Sequence, residues 1–118
     1  MMESRKLTAN FFVEAKSEED AIEYISNCIQ LYTDEYVLKS IEEYWKIRGT
    51  YVVRFTIKVE KDNLPLFLDS LSDVWEEYGC PKTDELLASR NNINCKYIKE
   101  KISLINIFLD EIIDDPVI

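Results

Sequence analysis

The side chains in this sequence that could do chemistry are carboxylates and thiols. Adjacent acidic pairs stand at Glu42-Glu43, Glu76-Glu77, Asp84-Glu85 and Asp114-Asp115, and the cysteines are Cys28, Cys80 and Cys95. Paired carboxylates serve as acid and base, or hold a hard cation, when they converge on one atom. Neighbours in a strand point to opposite faces and neighbours on a helix diverge, so these pairs read as solvated surface. The cysteines are odd in number and show no CxxC spacing, which suggests neither a disulfide framework nor a zinc site and leaves them as small structural thiols. Histidine is absent, and with it the commonest general base, nucleophile activator and metal ligand. Gly49 and Gly79 fall at turn positions, and no GxGxxG or GxxxxGK(S/T) run is present to cradle a phosphate. The expectation is no catalytic residue, no metal and no cofactor.

Charge is the more informative property. Asp and Glu number 23 against 14 Lys and Arg, a formal charge of −9 in 118 residues, which repels nucleic acid and anionic lipid but steers a basic protein into contact. With 47% apolar residues the chain lies far from the disordered class, and its length suits a single domain over 1–118. The first residues lack the apolar core of a signal peptide and no stretch reaches the length of a membrane span, so a cytoplasmic protein is expected.

These residues must be positioned by elements that periodicity reveals. Leu7, Ala9, Phe11, Val13 and Ala15 alternate with Thr8, Asn10, Phe12 and Glu14, the period of a strand with one buried face. Ser17 stands as an N-cap before Glu18, Glu19 and Asp20, and Ala21, Ile22, Ile25 and Ile29 form the stripe of a helix over roughly 18–31. From Tyr36 to Ile47 a less regular strand would set Val37, Ile41, Trp45 and Ile47 on one face and Leu38, Tyr44 and Lys46 on the other. Arg48-Gly49 supplies a turn into the clearest strand, Tyr51 to Val59, making an antiparallel hairpin. Asp62-Asn63 and Pro65 open a second helix, in which Leu64, Phe67, Leu68, Leu71, Val74, Trp75 and Tyr78 recur at three and four until Gly79 and Pro81 end it. Residues 86–98 hold a short strand or an irregular segment around Asn91-Asn92. Residues 98–112 carry both strand and helix periods, with strand favoured over Ile102–Leu109 for its β-branched and aromatic content.

This order predicts an α+β fold of ferredoxin-like, split βαβ type (βαββαβ), an antiparallel sheet with two helices on one face. Phe12, Leu38, Tyr44, Val52, Leu104 and Phe108 are then left on the other face, a larger apolar set than a solvated sheet needs. Two readings stay open: the set is an interface, or residues 80–98 or the tail fold back over it. An RNA-binding sheet would also display aromatics beside Arg54 and Lys58, but the net charge opposes a phosphate backbone and no Lys/Arg-Gly-Phe-type motif is present.

A small acidic domain without catalytic groups resembles the immunity proteins of bacterial toxin systems, including those of contact-dependent growth inhibition. The resemblance rests on the stretch Leu7 to Tyr78 and on the acidic runs Ser17-Glu-Glu-Asp20 and Asp110-Glu-Ile-Ile-Asp-Asp115. It is a likeness of type and carries over no functional residue. What it implies is neutralisation of a cognate toxin, often a basic nuclease, by occlusion of its active site or a surface it needs. Carboxylates would supply the field and aromatics the desolvated anchors. The partner-binding residues expected on this basis are Glu18, Glu19, Asp20 and Glu23, Asp110, Glu111, Asp114 and Asp115, with Phe12, Tyr44 and Phe108; Tyr24, Tyr32, Tyr36 and Trp45 are further candidate anchors. The partner would be a basic protein, with no nucleic acid or membrane, and a homo-oligomer is compatible. The alternative is a regulatory or small-ligand-binding domain of the same architecture, dimeric through sheet edges or the open face.

Overall fold

Strict alternation builds the first strand, β1 (Ser4–Glu14): Leu7, Ala9, Phe11 and Val13 are fully buried while Thr8, Asn10 and Phe12 take the other face. The computed structural model describes residues 4–79 and 84–113, the backbone alone at 79, 84 and 110–113. Helix α1 (Glu18–Gln30) starts where Ser17, in extended backbone, accepts the Asp20 amide on Oγ at 3.1 Å. It buries Ala21, Ile25, Cys28 and Ile29 and turns its carboxylates outward.

Strand β2 (Glu35–Glu43) carries a bulge: Leu38 lies opposite Phe55 and Ser40 opposite Arg54, leaving Lys39 as the extra residue. The bulge lets Tyr36 and Ile41, an odd number of residues apart, both lean on the core. This corrects the expected faces. Val37, Trp45 and Ile47 are exposed at 57%, 83% and 53%, and Leu38, paired with buried Phe55, leaves the open-face set for the helix side. A six-residue turn closed by Gly49, at φ +85°, leads into β3 (Thr50–Glu60), whose Val53, Phe55, Ile57 and Val59 are buried.

Helix α2 (Leu64–Leu71) is shorter than its periodicity suggests. Ser72 turns to extended backbone, and its hydroxyl accepts the Val74 amide at 3.3 Å. The Asp73 carboxylate accepts the amides of Lys96 and Tyr97 at 3.1 and 3.0 Å. Side chains that bond backbone in this way compete with the helix ladder, so the helical spacing of Val74, Trp75 and Tyr78 goes unused. Residues Glu76–Gly79 form β4 instead, paired with β5 (Asp84–Ser89), which pairs with β6 (Ile102–Ile113). The choice of strand for the last segment holds, and β-structure extends to 113.

The fold is α+β: a six-stranded sheet in the order β2-β3-β1-β6-β5-β4, every neighbour antiparallel, with two helices on one face. The hairpin β4–β5 between α2 and β6 departs from the expected βαββαβ order, which is not clearly present. Between β5 and β6 the chain returns over the helix layer. The Lys99 amide donates to the Leu71 carbonyl at 2.7 Å, and Ile98, bridged to Ser72, is buried in the core. Residues 84–98 therefore widen the sheet and thicken the helix side, and do not cover the open face. Among the described residues no other layer covers it; the tail beyond 113 lies outside them. No helix among them is long and apolar enough to cross a membrane.

Candidate functional site at the end of the sheet

Three connections meet where β1 ends. The Glu14 amide donates to the Lys101 carbonyl at 2.8 Å and the Ala15 amide to the Gly49 carbonyl at 3.0 Å, which ties the β1–α1 loop to the β2–β3 turn and to the turn entering β6. Lys101 holds a left-handed backbone, φ 70°, to make that turn, and its Nζ lies 5.4 Å from the centroid of the Tyr24 ring. Together they wall a cleft of about 680 Å³ lined by Glu14, Lys16, Asp20, Glu23, Arg48 and Lys101, with Tyr24 and Asn27 from α1.

Tyr24 is held hard. Its hydroxyl donates to the Glu100 carbonyl. Burial first, then the Cys28 thiol, Glu100 and Tyr97, push the phenol up to about 12, against a smaller opposing effect of Arg90. A phenol in that state is a donor at neutral pH and no general base. Burial likewise raises the Cys28 thiol, with Lys99 partly opposing, so Cys28 is an unreactive thiol. Cys95 points its Sγ at Asp73 Oδ1 and the Tyr97 carbonyl, 3.4 and 3.3 Å away; Cys80 lies outside the described residues. Among those residues no three Cys, Asp or Glu side chains converge as a metal site.

Beside the cleft stands the tip of the β2–β3 turn. Trp45 and Ile47 project into solvent, Lys46 Nζ lies 5.1 Å from the Trp45 ring centroid, and the Glu43 carboxylate accepts the Gly49 amide at 3.2 Å. An exposed Trp is of the residue type enriched among interface anchors. Tyr24 and Cys28, both pushed up by burial, are neither a poised base nor an activated thiol.

The expected binding residues do not form one surface. Glu18, Glu19, Asp20 and Glu23 are all exposed on α1, and Asp20 and Glu23 line the cleft. Phe12 and Tyr44 pack edge to face with centroids 5.1 Å apart, on the opposite face of the sheet but near the same end. Phe108 shares that face further along, opposite Thr8. Asp110 and Glu111 follow Leu109, which pairs with Leu7, and seven residues of β1 at about 3.3 Å each put them about 23 Å from the cleft. Asp114 and Asp115 lie outside the described residues. Trp45 and Ile47, assigned to a strand face from the sequence, and the rim cations Arg48 and Lys101 are the parts that pattern reading misplaced or missed. The signal present was an apolar residue pair beside Arg48-Gly49, which marks a turn tip.

No protein-family model, curated protein or solved structure matches this chain.

Proposed function

We propose that this chain is a bacterial, cytoplasmic binding protein that neutralises a cognate basic toxin, a nuclease in the simplest form, by occluding its active site or a surface it needs. The supporting observation is the sheet end, where exposed Trp45 and Ile47 belong to the turn whose Arg48 and Gly49 line the same cleft as Glu14, Asp20 and Glu23. A nuclease domain is cationic because it holds phosphates, so an exposed aromatic on a chain of formal charge −9 matches it in charge and in the means of desolvation. We read the scaffold as a split βαβ core extended by the β4–β5 hairpin; the order β2-β3-β1-β6, with α1 linking β1 to β2 across β3, supports that reading.

The test is kinetic. Association with the neighbouring gene's basic product should slow markedly as salt shortens the Debye length below about 8 Å, with dissociation little changed. Glu18, Glu19, Asp20 and Glu23 changed to Lys should lower the on-rate, whereas Trp45→Ala should raise the off-rate, by about 2 kcal/mol or more if it is an anchor. An on-rate indifferent to both salt and the four α1 carboxylates removes the physical basis of the reading.

One observation favours the small-ligand alternative: the cleft volume falls within the range of about 300–1,000 Å³ usual for small-molecule sites, and Lys16, Arg48 and Lys101 supply cations at its rim. Under that reading, Arg48→Ala and Lys101→Ala abolish ligand binding and Trp45→Ala has no effect.

A further inference from the structure

We propose that the open face of the sheet is a homodimer interface, on which a second copy packs about a two-fold axis running along the strands between β1 and β6. That line is the middle of the sheet, with three strands on either side. The inference does not depend on what the sheet end binds, because the helices and the cleft-lining face of α1 stay on the outside of such a dimer.

Charge and register select this occupant and this axis. Thr56 lies opposite Thr8, Thr8 opposite Phe108, and Phe108 opposite Glu85. Thr56 on β3 and Glu85 on β5 are therefore equivalent positions about the midline. Arg54 and Lys58 flank Thr56 on the same face of β3, one step to each side. The rotation sets Glu85 of each copy over Thr56 of the other, between two cations, and does so twice. The same rotation puts Phe12 against Leu104, its own cross-strand neighbour, so the apolar pair at the cleft end of the face is self-complementary as an isologous contact requires. A two-fold across the strands would instead lay β3 on β3, setting the strand that carries Arg54 and Lys58 against its own copy.

Within one chain these groups are held in place and not consumed. Arg54 Nε donates to Asn10 Oδ1 at 2.7 Å, Asn10 Nδ2 to Asn106 Oδ1 at 3.4 Å, and Asn106 Nδ2 to Glu85 Oε2 at 2.5 Å. Lys58 has an ion pair with Glu35 at 3.6 Å with its side chain 41% exposed. Apolar Phe12, Val52, Leu104 and Phe108 border this polar row and remain partly exposed. Six strands at about 4.8 Å spacing and about 25 Å of strand give a face of roughly 700 Å², close to the ~800 Å² per partner of a standard interface. Aligned sheets packing at about −30° are a common way to cover such faces.

The full chain should sediment at micromolar concentration as twice 13.9 kDa. The paired variant Arg54→Glu with Lys58→Glu, and separately Glu85→Lys, should each weaken the dimer by at least about ten-fold through like charges brought together. Mixing the two variants should restore a heterodimer, since each then faces the opposite charge. Should either variant fold poorly by circular dichroism, carbodiimide coupling of wild-type chains, labelled and unlabelled with heavy isotope, replaces it: an intermolecular Lys58–Glu85 crosslink is expected. A monomeric wild type, a dimer untouched by both variants, folded variants that mixing fails to rescue, or a wild-type dimer without that crosslink each overturns the proposal.

Discussion

Asp73 shows how one side chain ends an element. Its carboxylate, bonded first by the Tyr97 amide and also by the Lys96 amide and the Cys95 thiol, sits below the usual carboxylate range. A carboxyl depressed by folding stabilises the fold above its unfolded value near 3.8 and loses that contribution as pH falls through the folded value. Thermal melts of wild type and Asp73→Asn should therefore differ at neutral pH and converge in acid; a gap independent of pH would mean that the charge plays no part. Gly49 makes a simpler case. At φ +85° it takes a conformation that costs an L-residue about 1 kcal/mol, and a Cβ there would meet nothing within 4 Å. Gly49→Ala should cost about that much in urea melts and Gly49→Asn less, because Asn tolerates the left-handed region.

At the scale of elements, α2 and the segment after it divide the stability between burial and capping. Phe67, essentially inaccessible and 5.7 Å from the Tyr32 ring, should cost about 3–5 kcal/mol as Phe67→Ala. Trp75 lies beyond the helix, partly buried, and its indole Nε1 donates to the Leu68 and Ser72 carbonyls at 3.2 and 3.1 Å. Trp75→Phe, which removes that donor and keeps a ring, should cost about 1 kcal/mol, and an unmoved urea midpoint would show that the carbonyls are satisfied without it. These positions also explain what was legible in the sequence. β1, α1 and β3 could be read because a single buried face imposes an uninterrupted period on each. β2 could not, because the extra Lys39 switches its parity midway between Tyr36 and Ile41. The run from Val74 to Tyr78 kept a helical period that side-chain bonds at Ser72 and Asp73 override, and these bonds reach residues more than twenty positions away. The candidate site was half legible: the α1 carboxylates announced themselves by composition, whereas Trp45 became an exposed tip only once the turn was built.

For the whole molecule, the net charge has a consequence independent of any partner. A formal charge of −9 on a chain of 118 residues repels itself in the compact state. Added sodium chloride should therefore raise the urea midpoint as screening shortens from about 10 Å at 0.1 M to about 3 Å at 1 M. A midpoint that falls with salt would point instead to attractive pairs dominating the folded state.

The bulge at Lys39 also decides how this sheet can fail. Its outer strands are β2 and the four-residue β4, and an edge that is long, flat and unpaired is a template for runaway addition of further chains. β4 is too short to serve as one. β2 is long enough, but the extra residue twists it and a lysine sits at the kink. Because the pairs on either side, Leu38 with Phe55 and Ser40 with Arg54, are consecutive along β3, deleting Lys39 would leave a perfectly regular edge. That deletion should turn a well-behaved solution into one that forms thioflavin-binding fibrils after a lag, while the parent chain at the same concentration stays clear.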